Sequence, residues 1–212
     1  MLSRLSKKFY SRKTGIVAKE LLGKTLVHKT DEGIISGKIV ETEAYLAQKD
    51  PGSHAYRGIT ERNRIMFGPA GKAYIYLVYG NHHCLNVVTE KDGVGGAVLI
   101  RALEPQEGIK LMKKHRRIDE PLARLTNGPG KLTKALGITG SMNGADLTGI
   151  KLFIISQIAS GKKKSPSKDF SIVTTGRIGI RKGKNLPYRY YIEGSKFVSR
   201  TIAIRTKSNL PG

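Results

Sequence analysis

Lys72-Ala73-Tyr74-Ile75-Tyr76-Leu77-Val78-Tyr79 is the chain's strongest β segment, rich in aromatic and branched residues. Gly80-Asn81 ends it as a turn dipeptide. Downstream, Leu85-Asn86-Val87-Val88-Thr89 and Ala97-Val98-Leu99-Ile100-Arg101 flank the glycine cluster Gly93-Val94-Gly95-Gly96, which predicts a turn between paired strands. Upstream, Thr25-Leu26-Val27-His28 is a short strand, and Ile34 to Tyr45 is a longer one. Leu152-Phe153-Ile154-Ile155 and segments near 171–174 and 188–193 add later strands.

Three helices are expected around them. Residues 14–22 carry helical apolar spacing, with Gly23 as the stop. Glu104-Pro105 predicts a helix through about Arg117, with Ile109 and Met112 on one face. Lys131 to Leu136 follows Asn127-Gly128-Pro129-Gly130. There is no internal repeat and no clear linker. The expectation is one α+β domain over residues 1–212, with a curved, mostly antiparallel sheet and surrounding helices. The ends, 1–8 and 203–212, are expected to be flexible, and the basic stretch 161–168 a mobile loop.

Of 212 residues, 38 are Lys or Arg and 16 are Asp or Glu, a formal charge of +22. Such self-repulsion points to a polyanion, whose counterions are released when Lys and Arg neutralise phosphates. Solubility or a basic surrounding would also accommodate the charge. An anionic membrane surface finds no long basic amphipathic helix to support it. No apolar run approaches the roughly 20 residues that span a bilayer. Residues 1–8 lack the apolar stretch of a signal peptide. The one cysteine, Cys84, excludes an internal disulfide and a cysteine-rich zinc site. The reading is a soluble intracellular protein, bacterial and cytoplasmic, associated with the nucleoid, or nuclear if eukaryotic.

Val40-Glu41-Thr42-Glu43-Ala44-Tyr45 sets Glu41, Glu43 and Tyr45 on one strand face and Val40, Thr42 and Ala44 on the other. A carboxylate beside an aromatic ring is a candidate acid or base on a stacking platform. The same pattern also fits a solvated face with a cross-strand lysine. His54 lies in a loop rich in Pro and Gly, where it is either exposed or functional. Arg62 and Arg64 offer fork donors suited to phosphate. Tyr74 and Tyr76 share a face, and Tyr79 is free to project from a strand tip. These are core aromatics, or, given the charge, base-stacking and intercalating groups. His82-His83-Cys84 has no spaced partner that would complete a metal site. The glycines complete neither dinucleotide nor P-loop fingerprints. Asn127-Gly128-Pro129-Gly130 starts a helix, either ordinarily or with its N–H groups on a DNA phosphate.

Taken in order, these pieces resemble one family. They are Val-Glu-Thr-Glu-Ala-Tyr (40–45), Ser-His-Ala-Tyr-Arg-Gly (53–58), Arg-Asn-Arg-Ile-Met-Phe-Gly-Pro (62–69) and Tyr-Ile-Tyr-Leu-Val-Tyr-Gly (74–80). Cys-Leu-Asn-Val-Val (84–88), Leu-Ile-Arg-Ala-Leu-Glu-Pro (99–105), Asn-Gly-Pro-Gly-Lys-Leu (127–132), Gly-Arg-Ile-Gly-Ile (176–180) and Tyr-Arg-Tyr-Tyr-Ile-Glu-Gly-Ser (188–195) follow. The chain resembles the alkyladenine (3-methyladenine) DNA glycosylases from about residue 9 to about 200. These are the single-domain type unrelated to the helix-hairpin-helix glycosylases.

The resemblance implies a monomer without cofactor or metal that acts on duplex DNA containing damaged purines. It hydrolyses the bond between base and deoxyribose and leaves an abasic site. It assigns Glu43 as general base and Arg101 as the holder of the attacking water. Tyr45, His54 and Tyr76 become pocket walls, Asn86 the residue that disfavours guanine, and Tyr79 the intercalating wedge. Arg57, Arg62, Arg64 and Lys131 are candidates for the DNA backbone. No lysine stands at a Schiff-base position, which implies no strand-cleaving lyase activity. Two departures are visible: Glu61 where the family often has proline, and Asn81-His82-His83 after Gly80. Two other readings compete: a non-enzymatic basic DNA- or RNA-binding protein, and a metal-dependent nuclease.

Overall fold

A computed structural model describes residues 2–78, 80–157 and 170–200. The order is β1 (Leu2–Arg4), α1 (Lys7–Tyr10), α2 (Thr14–Leu21), β2 (Thr25–Thr30), β3 (Gly33–Leu46), β4 (Ala73–Val78), β5 (His82–Val88) and β6 (Gly96–Glu107). Then come α3 (Ile109–Arg116), α4 (Leu122–Leu125), α5 (Pro129–Ala135), β7 (Leu152–Gln157), β8 (Ile172–Thr175) and β9 (Arg189–Ile192). The strands form one sheet in the order β1-β7-β2-β3-β6-β5-β4, with β9 joined to β3 and β8 to β9. The pairings are antiparallel throughout the described residues. This is the α+β architecture that the strand and helix patterns imply.

The long strand β3 organises the sheet. Along one edge it pairs β6. Along the other, residues 33–38 pair β2 and residues 41–43 pair β9, so the sheet forks there. The fork coincides with two offsetting irregularities. Ile39 faces Leu103 and Glu41 faces Ala102, which leaves Val40 without an opposite residue. Thr42 then faces Ile100, which leaves Arg101 unmatched on β6. A bulge of this kind re-aims a side chain without losing the ladder.

Helix α2 covers the face that carries Val40, Thr42 and Ala44. Val17, Ala18 and Leu21 are fully buried there, each large side chain contributing about 1.5–3 kcal/mol. Thr42 Oγ1 donates to Ala18 O at 2.9 Å. The first turn of α2 has no local cap, so Glu90, from the turn after β5, serves instead. Its Oε1 accepts from Thr14 N at 2.6 Å and from Thr14 Oγ1 at 2.7 Å.

Two expectations change. The helix expected from Glu104 starts only at Ile109, because β6 continues through Glu107. Pro105 is tolerated there because the β3–β6 register slips between Ser36 and Gly37. The chain turns at Gly108, whose φ is 73° and where a Cβ would meet Ile34 O at 2.5 Å. At the other end, Leu2–Arg4, expected to be flexible, pairs with β7, and Leu5 is buried behind it. The basic stretch 161–168 and the terminal segment 203–212 lie outside the described residues.

His28 on β2 is buried. Its Nδ1–H donates to Leu136 O at 2.7 Å, and its Nε2 has no hydrogen-bond partner. Burial lowers its pKa, against the Leu136 bond and with help from the charges of Lys151 and His115. The unfolded chain therefore takes up this proton first as pH falls. Stability is present above the ordinary value of 6.5 and is lost as pH drops below it. We expect the denaturation midpoint to fall between about pH 7.5 and about pH 5, and to fall less in His28→Asn, which keeps a donor for Leu136.

Candidate active site

The face of the sheet opposite α2 carries the site, and cross-strand pairing assembles it. Glu43 on β3 pairs Leu99 on β6, Leu99 pairs Asn86 on β5, and Asn86 pairs Tyr74 on β4. Paired residues share a face, so one row runs from a carboxylate to a tyrosine across four strands. Tyr76 lies opposite Cys84 in the neighbouring row.

Glu41 and Glu43 are fully buried, not solvated, and their partners are arginines rather than a lysine. Arg101 donates from Nε to Glu41 Oε1 at 2.9 Å and from Nη1 to Glu43 Oε2 at 3.3 Å. Its Nη2 reaches Ser199 Oγ at 3.2 Å. Burial pulls the Arg101 pKa down, but Glu43 and Glu41 more than restore it and it ends above the ordinary value. Glu43 Oε2 also accepts from Tyr45 Oη at 2.8 Å, and Oε1 accepts from Ile178 N at 2.8 Å. Burial raises the Tyr45 pKa, and the Glu43 charge raises it further, so this phenol stays a proton donor. Burial pushes the Cys84 thiol up to about 11, with Arg101 pulling it down and Glu43 pushing it up. It is a small buried hydrophobe at neutral pH.

Beside Glu43 opens a small cleft lined by Tyr45, His54, Met66, Tyr76, Asn86 and Ile180, among others. It encloses about 70 Å³, well below the roughly 300 Å³ where ligand pockets begin. Its walls are largely aromatic, and their rings are tilted against one another. His54 and Tyr76 have ring centroids 4.8 Å apart, and Tyr74 and Tyr76 5.1 Å. The Asn86 amide donates to Tyr74 O at 3.0 Å, which fixes that side chain against β4. His54, exposed at the rim, has Nδ1 3.0 Å from Tyr74 Oη. Shielding by its neighbours, then the charge of Arg62, lowers its pKa, so it is neutral at pH 7. Arg62 stands 5.6 Å from the Tyr76 ring. Burial raises the Tyr74 pKa, and the Arg62 charge pulls it back.

The structure therefore brings together Glu43, Tyr45, Arg101, His54, Tyr76 and Asn86. Tyr79 lies outside the described residues, although Val78 and His82 on either side of its turn are paired. Arg57, Arg62 and Arg64 are exposed. Lys131 is exposed on α5, bonded to Asn127 Oδ1 at 2.8 Å. The start of α5 abuts the β4–β5 hairpin, because a Cβ at Gly130 would stand 2.9 Å from the His82 ring.

Several site residues were not singled out from sequence. Arg177 and Asp50 form a fully buried pair, with Arg177 Nη1 donating to Asp50 Oδ2 at 2.7 Å and to Ala44 O at 2.9 Å. The Arg177 guanidinium lies 4.5 Å from the Tyr45 ring, behind the cleft wall. The same segment then delivers Ile178 N to Glu43 and Ile180 to the cleft. Asn63 ties the His54 loop, donating to His54 O at 2.7 Å and to Gly58 O at 2.9 Å. Arg189 and Ser199 complete the Glu41 cluster. The Gly-Arg-Ile-Gly-Ile motif at 176–180 was a visible signal for Arg177. Arg189 lies in the 188–195 motif, whereas nothing local marks Ser199.

A larger cavity of about 640 Å³ lies elsewhere, between α2 and the turn after β5. Its lining includes Ile16, Phe67, Val94 and Tyr190, and its carboxylate, Glu90, is committed to Thr14. The chemistry-bearing groups gather at the smaller cleft.

A buried, arginine-bound carboxylate behind a tyrosine-lined cleft, on a strongly basic chain, fits an enzyme acting on a nucleic-acid base. The sequence model of the methylpurine-DNA glycosylases matches residues 8–196, and the chain belongs to that family. It is 52% identical over 192 residues to a protein of Methanoculleus marisnigri, covering 91% of this chain and 96% of that one. It is 50% identical over 196 residues to one of Carboxydothermus hydrogenoformans, covering 92% and 98%. A protein of Chlorobium phaeobacteroides is 48% identical over 199 residues, covering 93% and 96%. Each of these relatives bears the name "Putative 3-methyladenine DNA glycosylase". No helix among the described residues is long and apolar enough to cross a membrane.

Proposed function

We propose that this protein is a monofunctional DNA glycosylase of base excision repair that removes 3-methyladenine and related damaged purines from duplex DNA. The observation that carries the reading is Glu43, fully buried and hydrogen-bonded to Tyr45, a wall of the aromatic cleft. A base cannot be reached inside a duplex, so the nucleotide is extruded into the slot. Tyr45 and Tyr76 stack on the base, and a cationic methylpurine gains about 0.5–2 kcal/mol from their rings.

Water then attacks the anomeric carbon. Its oxygen bonds to that carbon, its proton passes to Glu43, and the electrons of the glycosidic bond go to the purine. 3-Methyladenine already carries positive charge and leaves neutral. The carboxylate also stabilises the oxocarbenium-like sugar. Arg101 Nη1 has a second N–H to hold the water beside Glu43. None of Tyr45, Gly52, His54, Met66, Tyr74, Tyr76, Asn86 and Ile180 carries an amine, which supports hydrolysis without lyase chemistry.

Hypoxanthine and ethenoadenine extend the substrate range in this reading. In this reading the Tyr74 hydroxyl donates to His54 Nδ1, 3.0 Å away, and His54 presents Nε2–H toward a base acceptor. Neutral lesions need such a donor more than cationic ones do. Asn86 narrows the slot against the exocyclic amine of guanine. Tyr79 fills the space that the base vacates. The protein works as a monomer on the bacterial nucleoid.

Release of free 3-methyladenine from methylated duplex DNA, measured with EDTA present, tests the chemistry. Wild type releases it, and Glu43→Gln is slower by about 10²- to 10⁴-fold. A passive binder would release none in either form, and a metal-dependent reaction would stop in EDTA. Tyr79→Ala should weaken binding to lesion duplex about tenfold and leave single-stranded binding unchanged, since only a duplex has a gap to fill. Equal loss on both would remove the wedge role.

A further inference from the structure

Glu41 is a second fully buried carboxylate, two residues from Glu43, and the mechanism so far gives it no task. It accepts four hydrogen bonds, as many as Asp50 behind the cleft wall. Its Oε1 accepts from Arg101 Nε at 2.9 Å, Arg189 Nε at 2.7 Å and Ser199 Oγ at 2.9 Å. Its Oε2 accepts from Ser199 N at 2.7 Å. Arg189 is itself held, through Nη2, by Arg200 O.

We propose that Glu41 is a positioning residue that keeps Arg101 from closing onto Glu43, so that Glu43 retains an acceptor site for the attacking water. The inference rests on the reading of Glu43 as the base. It starts from counting lone pairs. A carboxylate offers about four acceptor positions. On Glu43, three are taken by Tyr45 Oη, Ile178 N and Arg101 Nη1. One is left.

Arg101 decides whether that fourth position stays open. Guanidinium forks prefer to engage a carboxylate with two parallel N–H bonds. A fork on Glu43 would use the last acceptor. In the structure Arg101 does not fork there. Its Nε is drawn to Glu41 at 2.9 Å, its Nη2 to Ser199 Oγ at 3.2 Å, and only Nη1 reaches Glu43, at 3.3 Å. Ser199 in turn donates to Glu41, so two of the three Arg101 anchors lead back to that residue. The bulge on β6 makes this stance available, since Arg101 has no opposite residue on β3.

The charges give the same result. Glu41 and Glu43 face Arg101 and Arg189, two against two, with all four side chains nearly or wholly buried. Glu41→Gln leaves two guanidinium groups beside one carboxylate, and Arg101 turns toward Glu43. The variant should therefore fail through an over-engaged base, not through lost binding.

The test combines single-turnover excision of 3-methyladenine with affinity for a duplex bearing an abasic site. It compares wild type, Glu41→Gln, Glu43→Gln, Arg101→Gln and the Glu41→Gln/Arg101→Gln double variant, with thermal melting run on each. Glu41→Gln should excise ~10- to 100-fold more slowly, the range for outer partners that orient a functional group. Its affinity for the abasic duplex should stay within about twofold of wild type. With Arg101 already gone there is nothing to restrain, so the double variant should be no slower than Arg101→Gln alone.

If the two losses multiply, or if Glu41→Gln loses DNA affinity at an unchanged excision rate, the positioning role is overturned. Should Glu41→Gln fail to fold, Glu41→Asp keeps the charge and the same comparison with Arg101→Gln decides. Excision by Glu43→Gln at the wild-type rate would instead sink the reading of Glu43, and this inference with it. Failure of the Glu41 role alone leaves Glu43→Gln slow.

Discussion

One guanidinium, Arg101, spans two buried carboxylates, and the rest of the site depends on how it does so. Burying a carboxylate without partners costs several kcal/mol, and burying two near one another costs more. The fold offsets this with donors drawn from distant parts of the chain: Arg101 from β6, Arg189 from β9, and backbone N–H groups of Ile178 and Ser199. The fork of the sheet at β3 is the geometric counterpart. It brings β6 to one side of the Glu41–Glu43 segment and β9 to the other, and the paired irregularities at Val40 and Arg101 turn the guanidinium toward the acids.

The aromatic slot follows from the same sheet. Its walls stand on β3 and β4, and its far side is closed by the loop that carries His54. Each wall has a brace. Arg177 backs Tyr45 and is neutralised by Asp50, Asn86 is tied to the β4 backbone, and Asn63 pins the His54 loop. Such bracing holds the aromatic walls in place before any base arrives.

Much of this was legible in the sequence, and the reasons for the rest are physical. Alternation in 72–79 and 40–45 placed strands and their faces, because period two survives in any half-buried strand. The order of short motifs pointed to the family, which is shown, and through it proposed Glu43, Tyr45, His54, Tyr76, Asn86 and Arg101 as site residues. Pairings across long separations were not legible. Asp50 and Arg177 lie 127 residues apart, and Glu41 and Ser199 lie 158 apart. No local pattern says which distant residue each one meets. The start of α3 was misplaced because Glu104-Pro105 is a good helix opening, yet β3 supplies a partner strand that holds those residues extended. The pairing of Leu2–Arg4 escaped notice for the same reason: three residues carry no periodicity, and their place is set by β7.

The central claim is that Glu43 acts as a base on water and that a cationic purine needs no acid to leave. The pH dependence of single-turnover excision from a duplex carrying a cationic methylpurine tests this most directly. The account predicts a rate that falls on the acid side as the base is protonated, and a plateau on the alkaline side, with the acid limb absent from the residual reaction of Glu43→Gln. A bell-shaped profile for that cationic lesion, or an acid limb that persists in Glu43→Gln, would contradict it.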